Sequence, residues 1–123
     1  MLKEKLIVSK QNIADKSADV LIGYKLSDDL PLFTIGSFEK GVTVLNQQTR
    51  ALNLAWSLIE TNTIRATSDS RPPKIAIVGA GFSGLTFAAA LIQKEANCEL
   101  FLFEQRDSLL PIQQGSDTRW LHP

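Results

Sequence analysis

The sequence is poor in the residues that announce a special environment. It has one cysteine, Cys98, so no internal disulfide can form, and a lone thiol suits a reducing compartment. It has one histidine, His122, with no cysteine or carboxylate cluster beside it, which is not the pattern of a metal site. Charge of one sign is not in excess: 13 Lys and Arg balance 13 Asp and Glu, so there is no basic footprint for nucleic acid or an anionic membrane. Long hydrophobic runs are missing too. The longest, Phe87 to Ile92, is far too short to span a bilayer. After Lys3 and Lys5 the apolar stretch is only Leu6 to Val8, which is no signal-peptide core. These absences point to a cytoplasmic protein without nucleic acid or membrane among its partners.

What remains is an ordinary globular composition, 44% hydrophobic and 21% charged, in 123 residues. That length fits one domain, or a small domain and part of another. The clearest boundary is the polar segment 64–73, "IRATSDSRPP", in which Pro72 and Pro73 cannot continue a helix. It separates an N-terminal α+β extension, 1–63, from a C-terminal part, 74–123. Within the extension, residues 19–24 read as a short strand. The runs 32–35 and 41–45 read as a hairpin around "GSFEKG". Residues 46–62 form the best helix pattern, with Asn46 as cap, Leu52, Ala55, Trp56 and Ile59 on an apolar face that Leu54 and Leu58 widen to more than one side, and Trp56 as a core aromatic. Two arrangements suit this extension: a separate accessory subdomain, or a strand and the Asn46–Glu60 helix laid against the C-terminal sheet.

Residues 74–91, "KIAIVGAGFSGLTFAAAL", carry the chemistry. The β-branched run 74–78 reads as a buried parallel strand, and 82–96 as a helix with Leu85, Ala88, Ala89 and Ile92 on one face. Residues 98–103 read as a second strand, with Cys98 a small core residue at its start. Between the first strand and the helix, Gly79, Gly81 and Gly84 spell G-x-G-x-x-G. Three glycines at fixed spacing arise by chance in only a few per cent of chains this long, so the motif alone is weak. Its context is specific: the glycines follow a strand and open a helix, and Glu104 stands 20 residues beyond Gly84 at the end of the second strand.

That pattern points to a dinucleotide. Gly79 permits the tight turn, Gly81 lets a pyrophosphate approach the backbone, and Gly84 lets helix and strand pack closely. The N–H groups of Phe82, Ser83 and Gly84 lie at a helix N-terminus, where the partial positive charge favours phosphate. Ser83 either adds a hydroxyl contact or caps the helix. Glu104 would accept hydrogen bonds from the ribose hydroxyls and repel a 2′-phosphate.

"VGAGFSGLTFAAAL" followed by "LFLFEQRD" resembles the N-terminal ADP-binding β–α–β unit of FAD-dependent oxidoreductases of the two-dinucleotide-binding-domain type. The resemblance covers about residues 74–107 and implies an α/β, Rossmann-like FAD/NAD(P)-binding unit, incomplete here, that contacts the adenosine and pyrophosphate of FAD. It also places Arg106 near the adenine ribose, and the tail with Gly115 and Arg119 in a loop across the cofactor. It implies an N-terminal portion of a flavin enzyme, its remaining strands and substrate domain lying beyond this sequence; no catalytic acid, base or nucleophile is identifiable. Two alternatives stand beside it: an NAD-binding unit, and a non-catalytic module that keeps the β–α–β core and binds another chain at its open sheet edge.

Overall fold

The computed structural model describes residues 2–36, 43–64, 71–110 and 114, with side chains from residue 12 onward. Its elements run α1 (Leu2–Ile22), α2 (Val44–Glu60), β1 (Lys74–Val78), α3 (Phe82–Gln93) and β2 (Glu99–Phe103). β1 and β2 pair in parallel, from Lys74 opposite Glu99 to Val78 opposite Phe103. The ladder extends past both ends: the Glu99 N–H donates to the Pro73 carbonyl at 2.9 Å, and the Gly79 N–H to the Phe103 carbonyl at 2.7 Å. The fold is thus mixed α/β around a small parallel β–α–β unit, the α/β Rossmann-like class that the glycine-bearing stretch predicts.

Alternation along the strands sorts the sheet into two faces. Ile75, Ile77, Leu100 and Leu102 share the face toward α3, and Ile77 is buried in the core with Phe87 and Leu91. Ala76, Val78, Phe101 and Phe103 share the opposite face and are exposed. The helices stack in a row, α1 on α2 and α2 on α3, so the extension lies directly against the β–α–β unit. Ala51, Leu54, Ala55 and Leu58 of α2 join Ile77, Phe87 and Leu91 in one core cluster. Cys98 packs at its margin, half-buried, and burial pushes its thiol pKa up.

Several expectations for the extension give way. Residues 19–22 are not a strand but the last turn of α1. Ser17, Val20, Leu21 and Tyr24 follow the helical i, i+3, i+4, i+7 spacing, and Val20, Leu21 and Tyr24 meet the core. The segment 32–35 is extended, but it pairs back on 24–26. The Leu26 N–H donates to the Leu32 carbonyl at 2.8 Å, and the Thr34 N–H to the Tyr24 carbonyl at 2.8 Å. Its expected hairpin partner is lost because Val44 and Leu45 open α2; residues 37–42 lie outside the described residues. The cap of α2 is Thr43 rather than Asn46. The Thr43 Oγ1 accepts the Asn46 N–H at 3.1 Å.

α2 buries Leu54, Ala55 and Leu58 as expected, but both helices otherwise turn away from their expected faces. On α2 the buried set is Ala51, Leu54, Ala55, Ser57 and Leu58, while Leu52 and Trp56 are 49% and 38% exposed. The small Ala51 and Ala55 side chains lie fully inside, which leaves Trp56 at the rim instead of in the core. On α3 the buried set is Gly84, Phe87 and Leu91, while Ile92 is 68% exposed. The close contact at Gly84 fixes that rotation. α3 also ends at Gln93, short of 96, in a Schellman motif. Glu95 adopts a left-handed φ of 51°, its N–H donates to the Ile92 carbonyl, and the Ala96 N–H donates to the Leu91 carbonyl, each at 3.0 Å.

Candidate functional site

The turn between β1 and α3 assigns a different physical reason to each of its glycines. Gly79 has φ = 101°, a conformation L side chains rarely adopt, and this swings the chain from strand to helix. Gly84 is the contact point: a Cβ there would overlap the Gly79 carbonyl oxygen and crowd its carbon. Gly81 needs neither reason. Its backbone is extended at φ −81°, ψ −174°, and a Cβ built on it would meet nothing within 4 Å. Gly81 therefore borders open space at the head of α3. The first intrahelical bond is from the Leu85 N–H to the Gly81 carbonyl at 3.0 Å, so the N–H groups of Phe82, Ser83 and Gly84 precede the ladder. Gly81 caps the helix without a side-chain bond, so those donors are not taken by a cap.

Three bonds staple this turn to β2 and the loop that follows. Gly79 N–H is held by the Phe103 carbonyl. Ala80, fully buried, donates its N–H to the Glu104 Oε2 at 2.7 Å and accepts the Leu110 N–H at 3.1 Å. The other Glu104 oxygen, Oε1, accepts the Arg106 N–H at 3.0 Å. These donors hold the Glu104 carboxyl below its ordinary pKa, Ala80 first and Arg106 second, so it stays ionised at the mouth of the turn. A carboxylate offers about four acceptor positions, which leaves Glu104 capacity for a further donor. Arg106 is exposed, on the same loop.

The structure thus gathers Gly79, Gly81, Phe82, Ser83, Gly84, Glu104 and the Arg106 backbone around the end of β1. Ser83 does not cap α3. Its hydroxyl donates to the Gln47 Oε1 of α2 at 3.5 Å, a contact no motif announced. A second unannounced feature is the Glu104–Ala80 bond: spacing marks Glu104 but not its hold on the turn. Gly115, Arg119 and His122 lie outside the described residues.

The glycine turn opens onto a cleft of about 750 Å³. Its lining includes β1 with Gly79, Gly81 and Ser83, and Thr34, Ile35 and Gly36 of the extension. Arg50 of α2 holds that last segment, its Nε donating to the Ile35 carbonyl at 3.2 Å and its Nη2 to the Gly36 carbonyl at 3.3 Å. The Arg50 guanidinium also lies 4.8 Å above the centre of the Tyr24 ring. A volume of this size accommodates a small-molecule ligand or cofactor.

A parallel strand, a left-handed glycine turn, a helix packed through glycine and a carboxylate ending the second strand define a Rossmann-type nucleotide-binding unit. Comparison with known families agrees: residues 77–110 match the family described as NAD(P)-binding Rossmann-like domain. The matched segment is just over a quarter of the chain, and α1 and α2 lie outside it. It supports a dinucleotide cofactor. Comparisons with curated proteins and with solved structures gave no match. Among the described residues no helix is long and apolar enough to cross a membrane.

Proposed function

We propose that this chain binds the ADP moiety of FAD as the N-terminal portion of a flavin-dependent oxidoreductase. The observation that carries the nucleotide reading is the glycine turn itself, with open space at Gly81 and helix donors beyond it. A pyrophosphate would lie against Gly81 and take the N–H groups of Phe82, Ser83 and Gly84, where backbone donors and helix dipole act together. Glu104 would accept the ribose hydroxyls while it keeps Ala80 in place, so one carboxylate both shapes the turn and orients the sugar. Arg106 would lie beside the adenine ribose. When bound, the flavin ring supplies the hydride-transfer chemistry, and this chain's residues bind and orient the cofactor's ADP end. The G-A-G-x-S-G-L form of the turn supports FAD.

A second reading is an NAD-binding unit, which the family match and the ionised Glu104 favour equally well. Titration separates the two. FAD added to the purified chain should bind saturably and with higher affinity than NAD. NAD binding without FAD binding would select the second reading, and failure to bind FAD, NAD and ADP would refute both.

A further inference from the structure

The matched segment does not contain every group at the mouth of the glycine turn. Gln47, the fourth residue of α2, lies half-buried there, with its Oε1 facing the Ser83 hydroxyl. The first turns of α2 and α3 therefore touch beside Gly81, and Gln47 lines the same cleft as Gly79, Gly81 and Ser83. With Oε1 turned to Ser83, the Gln47 amide Nε2, which only donates, has no partner among the described residues. A neutral donor adjoining the N-terminal donors of α3 matches an acceptor-only, anionic ligand group.

We propose that the extension completes the nucleotide site, and that Gln47 is a diphosphate-binding residue supplied from outside the β–α–β unit. This rests on the dinucleotide reading above and deepens it. Thr34, Ile35 and Gly36 line the same cleft, and Arg50 fastens the Ile35 and Gly36 carbonyls to α2. α2 thus fixes both the donor and this part of the lining, which gives the extension a binding role beyond packing.

The test is calorimetric titration of ADP, with adenosine followed by NMR, against the full chain and its Gln47→Ala and Gln47→Glu variants. Losing one donor to a charged phosphate should weaken ADP about tenfold and leave adenosine unchanged. Gln47→Glu, which sets a carboxylate against the diphosphate, should weaken ADP further, and that added loss should shrink as salt is raised. Unchanged ADP affinity in both variants would overturn the proposal. So would an equal loss for ADP and adenosine, since Gln47 would then only hold α2 on α3. If the wild-type chain binds no ADP, the dinucleotide reading falls first, and this inference falls with it.

Discussion

Gly84 and Gly81 sit three residues apart in one motif, yet alanine should cost much more stability at the first than at the second. At Gly84 the new Cβ would run into the Gly79 carbonyl oxygen, which is backbone and cannot rotate aside as a side chain would. Overpacking of this kind costs about 1–3 kcal/mol. Against it stands a gain of about 0.5–1 kcal/mol from replacing glycine in a helix. Because the obstacle is backbone, the upper part of the range applies and the net loss is about 2 kcal/mol. For a chain of this length that lowers Tm by about 5–10 °C. At Gly81 the same substitution meets open space on extended backbone, so it costs only the weaker cap, about 0.5–1 kcal/mol. Thermal unfolding followed by circular dichroism of both variants checks the contrast. Equal melting of Gly84→Ala and wild type, or a larger loss at Gly81, would refute the assignment of packing to one glycine and open space to the other.

Other outcomes follow from single contacts. Thr43→Ala removes the only side-chain cap of α2 and should cost about 1 kcal/mol in urea unfolding, because the Asn46 N–H loses its acceptor. Ser57 Oγ is buried with no partner among the described residues, so Ser57→Ala should be neutral or raise stability slightly in the same assay. Glu104 has its folded pKa lowered. Its contribution is therefore present above the ordinary carboxylate pKa and is lost as pH falls through the lowered value, and Glu104→Gln should flatten that acid limb in a pH-dependent melting series. Burial raises the Cys98 pKa, so its thiol should react with an aromatic disulfide reagent more slowly at neutral pH than in denaturant.

The β–α–β unit was legible because its signals are local. Two prolines stop the preceding chain, β-branched residues favour a strand, and only glycine readily takes the φ that Gly79 adopts. The 20-residue spacing found Glu104 for the same reason, since strand and helix lengths fix it. The extension was misread where tertiary packing decides. Val20 to Ile22 carries both strand-like composition and helical spacing, and contact of Val20 and Leu21 with the core selects the helix. The rotation of α2 and α3 depends on which small residues meet across the interface, Ala51, Ala55 and Gly84, and hydrophobic spacing alone does not say which. Gln47 left no trace in the sequence. Its significance comes only from α2 lying against the head of α3.

The central claim is that the glycine turn holds a pyrophosphate, and calorimetric titration of ADP into wild type and Gly81→Val tests it most directly. The valine fits extended backbone facing open space, so the variant should stay folded and lose only the weaker cap, about 0.5–1 kcal/mol, while a branched side chain fills the phosphate's place. The prediction is saturable ADP binding by wild type and a loss of at least about tenfold in the variant. Equal affinity in the two proteins, or no ADP binding by wild type, would contradict it.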